Sequence, residues 1–567
     1  MKNIIFSFLL LSILCISCES DFLEVDSPDL TDQALWADPV LVEAYIINQY
    51  TGIQKAEKEP SIGGWQDSPF GLSRGYHWAM WASNTDEAVY SNDDQTYLVQ
   101  KGQLSPSNYG WTSTTWGRSY RAVREINLCL SKLDETPIEA DRVELLNAEL
   151  RFLRAYRYFN LLKSFGKVPV VGDVVATLED DFSAFYEKKE IAEVVSYITG
   201  ELDVAIAKLP RTSGSDWQNG RATAGAAMAL KSRLLLYAAS PLYTNGADDA
   251  QKWQAAADAA KKVMDLKLYD LVDDLDSDPV VNYRTFFQTN NTVEDIFTRQ
   301  FNVSTHAIPI ERMNAPNGFG GWGGNCPMQN LVDDFEMDNG YSIEDPLSGY
   351  DPQNPYVNRD PRFYATILFN GAPYRGRDIE VFLPDGKDSP DGNEPWNTSP
   401  TGYYMRKFVN DAVDLNDWDN QGHSPWRYFR YAEILLNYAE AQNEANGPDA
   451  SVYEAINKIR LRADMPGLPA GLSKDVMRER IRNERRIELL YEEHRYFDVR
   501  RWMIAMDIEN QDAMGISITK ADDGTLTYAP KVALAGKTFM EKHYWFPIPQ
   551  EEINAANGAL KQNPGYN

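Results

Sequence analysis

The chain of 567 residues carries 55 Lys and Arg against 83 Asp and Glu, a net charge of -28 at neutral pH. So acidic a balance argues against nucleic acid, whose phosphates need basic partners, and against a polybasic membrane patch. Four cysteines in this length do not make a cysteine-stapled fold.

In chain order, the first element is Lys2 followed by an apolar run from Ile4 to Ile16, ending at Ser17-Cys18-Glu19-Ser20-Asp21. A positive start and an apolar stretch too short to span a bilayer predict a secretory signal over 1–17. The small residue before Cys18 and the acidic residues after it resemble a bacterial lipoprotein signal, although Cys15 stands where most such signals carry Leu. That resemblance implies cleavage after Ser17 and acylation of Cys18, whose chains would make attachment stable. The alternative is ordinary secretion with Cys18 unmodified. No later segment approaches the ~20 apolar residues of a spanning helix.

The mature part, 18–567, reads as one domain in three stretches. Over 18–266 helical periodicity dominates. Arg118 to Leu133 places Tyr120, Val123, Ile126 and Leu130 on one face, and Arg142 to Phe165 places Leu146, Leu150, Leu153, Tyr156 and Leu161 before a stop at Gly166. An alanine-rich helix from Ala222 to Ala239 is followed by a second from Ala250 to Leu266. The stretch 267–426 is irregular, rich in Gly, Pro, Asn and Asp, with strand-like pieces at Asp295 to Asn302, Tyr364 to Phe369 and Tyr403 to Phe408. Such loop-rich stretches on a rigid scaffold tend to carry binding residues. In 427–567 helices return: Tyr428 to Asn446, Val452 to Arg462 with Ser451 as cap, and Lys474 to Tyr491. The pairs 222–266 and 428–463 repeat one design and resemble tetratricopeptide hairpins, which bury a core only when stacked. The fold class is therefore mainly α, a helical-hairpin scaffold with a loop-rich irregular subdomain and a few short strands.

Catalytic patterns are missing. The five histidines are not paired on a helix turn, no G-x-S-x-G turn appears, and no phosphate loop ends in Gly-Lys-Ser/Thr. A glycosidase would need two facing carboxylates about 5–9.5 Å apart in a cleft. Asp333, Asp334 and Glu336 read as a solvated turn. The acidic clusters at 273–278 and 411–420 are where a structural calcium could sit, but neither has the order of an EF-hand loop. The charged run 478–501 reads as an ion-pair network fixing a helix among its neighbours, with many i,i+3 and i,i+4 pairs. Cys129 and Cys326 are open to pairing or to burial as free thiols.

The segments Phe429-Arg-Tyr-Ala-Glu-Ile-Leu-Leu-Asn-Tyr-Ala-Glu-Ala, Ile481-Arg-Asn-Glu-Arg-Arg-Ile-Glu-Leu, Arg495-Tyr-Phe-Asp-Val-Arg-Arg-Trp and Trp545-Phe-Pro-Ile-Pro-Gln-Glu-Glu-Ile resemble the C-terminal core of SusD/RagB-type outer-membrane lipoproteins. Thr85-Asp86-Glu87 and Glu149-Leu-Arg-Phe-Leu-Arg-Ala-Tyr extend the likeness to the N-terminal half. The resemblance implies about four stacked hairpins, a binding surface without catalysis and no cofactor. It implies an oligosaccharide ligand, a SusC-like TonB-dependent transporter as partner, and a lipid-anchored place at the outer-membrane surface.

The resemblance also points to stacking aromatics on loops. Those positions hold Trp65, Tyr76, Trp78 and Trp81, then Phe319 and Trp322 within Gly318-Phe-Gly-Gly-Trp-Gly-Gly-Asn. Asn84 and Asp86 beside Trp81, and Asn325 and Arg74, are the polar partners expected for sugar hydroxyls. Trp116, Trp502 and Trp545 are assigned to packing. A helical-repeat adaptor for a peptide or protein ligand is the alternative, and exposure of the loop rings separates the two.

Overall fold

The computed structural model describes residues 32–50, 72, 78–92, 95–177, 180, 182–302 and 309–566. Cys18, Trp65, Arg74 and Tyr76 lie outside the described residues.

Eight helices form the scaffold: α1 (Gly110–Lys132), α2 (Ala140–Phe165), α3 (Ile191–Lys208), α4 (Ala224–Ala239), α5 (Ala250–Met264), α6 (Tyr431–Asn446), α7 (Ala450–Arg462) and α8 (Lys474–Glu488). Each packs on the next from α1 to α6, and α6 then contacts both α7 and α8. The helices α2, α4 and α6 are buried over most of their surface, which explains their dense apolar and alanine content. Thr223 caps α4 by accepting from the Ala226 N–H. The cap of α7 is Asp449, whose carboxylate accepts from Ser451 and Val452, so Ser451 is inside the helix rather than its cap. α2 stops at Gly166, whose φ of +71° and whose closeness to the Trp545 ring leave no room for a side chain. None of the helices among the described residues is long and apolar enough to cross a membrane.

The helices α5 and α6 touch although the irregular stretch separates them in sequence. Its two ends are tied by an antiparallel ladder between β2 (Asp295–Arg299) and β4 (Trp426–Arg430). A second ladder joins β1 (Ala88–Tyr90) to β3 (Asn325–Pro327), in register Tyr90 with Asn325. The C-terminal stretch adds a hairpin of β5 (Ala513–Lys520) and β6 (Leu526–Leu534). Two of the strand-like pieces shrink on folding. Pro361–Thr366 is a helical turn leading into a two-residue strand, and only Tyr404 and Met405 pair near 403–408. Cys129 and Cys326 are separate, buried free thiols.

The charged run 478–501 is two helices, α8 and Arg495–Arg501, joined by a turn in which Tyr491 and Glu493 take positive φ. Its ion pairs reach mainly across the fold rather than along the helix. Glu488 receives Arg430 at 2.6 Å, Arg462 at 2.5 Å and Arg362 at 3.1 Å. Glu484 receives Arg362 and Arg460, and Arg485 and Arg501 share Asp498. Glu336, expected in a solvated turn, is buried and paired with Arg460 and Arg480. The reason is the ladder-closed insertion, which presses the turn against α7 and α8 and leaves its carboxylate in reach of their arginines. The network thus fastens the irregular stretch to the helices. Asp86, a candidate for sugar hydroxyls, belongs to the same kind of pairing: it is buried between Arg486 and Arg495.

Next to it, burial pushes the Glu87 carboxyl up to about 8, against the pull of Arg486 and Arg495. The folded chain therefore keeps this proton to about pH 8, whereas an unfolded glutamate releases it near ~4.3. Stability must fall as pH rises between those values, since the folded state binds the extra proton. Glu87→Gln is expected to flatten that fall, so the loss of melting temperature between mildly acidic and mildly alkaline buffer shrinks relative to the parent chain. An unchanged difference would contradict the assignment.

Candidate aromatic binding site

The β1–β3 ladder brings together loops more than two hundred residues apart in sequence. Asn325, at its edge, is fully buried and acts as the clamp: its Oδ1 accepts from the Met80 N–H and the Ser83 hydroxyl, each at 2.8 Å. Its Nδ2 donates to the Trp78 carbonyl at 2.9 Å and to Asn314. Asn325 therefore positions the backbone under Trp78 and is not itself available to a ligand.

Trp322 is held from both sides. Its N–H donates to the Arg312 carbonyl at 2.9 Å, and its carbonyl accepts from Ser91 Oγ at 2.9 Å, with Asn92 Nδ2 at 3.4 Å. Gly323 follows at φ +71°, and a Cβ there would collide with the Asn397 carbonyl. The glycines around Trp322 thus serve close backbone approach, and the ring is presented by a fixed segment.

The rings meet as a cluster. Trp78 and Trp322, both half-buried, lie 5.0 Å apart between centroids. Trp418 lies 5.7 Å from Trp322 and is 46% exposed. The Arg312 guanidinium is 5.0 Å from the Trp418 ring and 6.0 Å from that of Trp322, within cation–π reach. It also donates to the Leu415 carbonyl at 2.8 Å, tying the Trp418 loop to the Trp322 loop. Buried Gln421 gathers the same loop through the Leu415 and Asp417 carbonyls. Three indoles of this geometry offer an apolar, quadrupolar surface suited to the C–H faces of sugar rings, with the amides of Asn92 and Asn416 alongside.

Other expected residues are elsewhere. Trp81 is 1% exposed, packed against Trp111, Tyr496, Phe497 and Phe546, so it is a core ring. Three of these rings, Tyr496, Phe497 and Phe546, come from the C-terminal stretch, which closes over the turn Trp81–Asn84. Asn84 is buried with it and not accessible to a ligand. Phe319 is half-buried, covered by Arg377 at 3.8 Å and met edge-on by Tyr374, apart from the tryptophan contacts. Trp116 and Trp502 are buried, and Trp545 packs on Tyr243.

No group of three His, Cys, Asp or Glu suited to a metal occurs among the described residues. In the 411–420 cluster, Asp411 is committed to Arg284 and Arg406. The 273–278 cluster instead lines an open polar cavity with Lys458 and Arg462. A separate apolar cavity of about 360 Å³ is lined by Trp116, Tyr120, Phe182, Phe185 and Tyr186.

A family model described as SusD family matches residues 283–566, half of the chain. The chain belongs to the SusD family. A second model, described as starch-binding associating with outer membrane, matches residues 21–236 of this SusD-family protein. Among relatives, SusD-like protein P2 of Formosa agariphila is 22% identical over 470 residues, 81% of each chain. A solved SusD-like protein from Bacteroides fragilis is 29% identical with a TM-score of 0.75, covering 95% of this chain and 99% of that one. A solved SusD-like carbohydrate binding protein from the same species is 26% identical with a TM-score of 0.73, covering 93% and 100%. Carbohydrate binding and outer-membrane association are thus properties named at the level of the family.

Proposed function

We propose that this SusD-family protein captures oligosaccharides on the Trp78–Trp322–Trp418 surface and delivers them to a SusC-like TonB-dependent transporter, without catalysis. Acyl chains on Cys18 would hold it at the outer face of the outer membrane. The observation that carries the reading is the cluster itself: three indoles joined through Trp322, on loops fixed by hydrogen bonds, with Trp418 left 46% exposed. A prearranged surface loses little conformational entropy when a ligand lands on it, and desolvation of sugar hydroxyls keeps affinity modest.

The test is retardation in native gels cast with starch, laminarin or xylan. The parent chain is expected to be slowed by at least one of them, and Trp418→Ala to migrate nearer its sugar-free position. Free migration in every gel, together with capture of a peptide ligand, would instead favour the helical-repeat adaptor.

A further inference from the structure

We propose that Trp396 is a second stacking platform beside the tryptophan cluster, so that the site takes a glycan chain of several units rather than one or two. This rests on the glycan reading above. Trp396 is 71% exposed, more than any other large aromatic side chain among the described residues. Isolated exposed apolar residues are ordinary, but this one is not on a loose loop. It sits in the tight turn Pro395–Asn397, entered through Glu394 in the left-handed region, and Asn397 Nδ2 donates to Glu394 Oε2 at 3.0 Å. Buried Asn317 donates to the Asn393 carbonyl at 2.6 Å and to that of Ser389 at 3.2 Å. Thr398 Oγ1 also donates to the Ser389 carbonyl.

The turn is also seated on the tryptophan loop. Asn397 is buried, and its carbonyl lies so close to Gly323 that no side chain fits between them. Trp396 and Trp322 are each one residue from that contact, and successive Cα atoms are only about 3.8 Å apart. The two indoles therefore leave neighbouring backbone segments, within the span of an oligosaccharide. Rigid aromatic side chains add contact area at low entropic cost, and Asn393 and Glu394 on the same turn offer polar groups to hydroxyls. A surface of this kind rewards length: a short glycan covers the cluster, and a longer one reaches Trp396 as well.

The experiment titrates the full-length parent, Trp396→Ala and Trp418→Ala with malto-, laminari- and xylo-oligosaccharide ladders, by calorimetry. The parent should bind longer members more tightly. Trp396→Ala should bind the shortest effective member as the parent does and lose about tenfold on the longest, a contribution of the size expected for a ring face only partly covered at the end of the site. Trp418→Ala should lose affinity at every length. Its melting temperature should leave Trp396→Ala indistinguishable from the parent, because the ring is exposed. Parent-like length dependence in Trp396→Ala would overturn this inference while leaving the glycan reading intact. Failure of the parent to bind any ladder would overturn both.

Discussion

Trp322→Ala is expected to lose about thirtyfold or more in glycan affinity with little change in melting temperature. The indole is the middle member of the cluster, with Trp78 at 5.0 Å and Trp418 at 5.7 Å. A covered face of roughly 80 Å² at ~25 cal/mol per Å² contributes ~2 kcal/mol, which sets the scale. Removal also frees the two neighbouring rings and the Arg312 guanidinium to reorient, so the loss should exceed that of Trp418→Ala. Stability should change little because the backbone ties of residue 322, to the Arg312 carbonyl and from Ser91, do not depend on the side chain. Trp81→Ala provides the contrast. That ring is enclosed by Trp111, Tyr496, Phe497 and Phe546, so its loss should cost ~3–5 kcal/mol of stability. Calorimetric titration and thermal melts on the two variants separate a binding ring from a core ring.

The second large effect concerns the fold. Glu488→Ala should destabilise the protein by ~3–5 kcal/mol, the range for removing one partner of a buried ion pair. Three guanidinium groups, of Arg430, Arg462 and Arg362, would lose a shared carboxylate in a fully buried setting. Burial alone would raise this carboxyl, but Arg462, Arg430 and Arg362 hold it well below the usual carboxylate range. Asp498, Glu440 and Glu492 are likewise lowered by their arginines against the effect of burial. Groups depressed in the folded state contribute stability that is present above their unfolded values, near ~4, and lost as pH falls through the folded ones. The parent chain should therefore hold its stability down to roughly pH 4 and lose it steeply below. Glu488→Ala should begin from a lower plateau and lose less on acidification. Denaturant melts across that window read both quantities.

The scaffold was legible because its signals are local. Helical spacing marked α2, α4 and α6, and Gly166 marked a helix end that the structure keeps. The network around Glu488 was legible as ion pairing but not in its geometry, since spacing along a helix names i,i+4 neighbours while the real partners sit on β4, α7 and the irregular stretch. Glu336 shows the same gap: acidic local sequence suggested solvent, and two arginines from other elements bury it. The binding surface was half visible. Glycine-flanked Trp322 and the early loop ring Trp78 were singled out from sequence, and the β1–β3 ladder joins them. Trp81 looked similar to Trp78 because its covering residues, Tyr496 and Phe546, lie some four hundred positions away. Asn325 reads in sequence as a sugar partner, whereas the four hydrogen bonds of its side chain go to the backbone and side chains that hold the loops. Trp418 carries no such mark in the sequence, because its acidic surroundings, Asn416-Asp-Trp-Asp-Asn, read as a cation-binding or solvated stretch. A tryptophan amid short polar residues in a loop was the available signal, and Glu394-Pro-Trp-Asn carries it a second time.

A crystal structure of the protein with a bound oligosaccharide, from the ladder that binds best, decides whether the tryptophan surface holds the ligand. Sugar rings should lie against Trp322 and Trp418, with Arg312 at their edge and the loop backbones unmoved. Sugar seated instead in the apolar cavity of Trp116, Tyr120, Phe182 and Tyr186, with the tryptophan cluster bare, would contradict that placement.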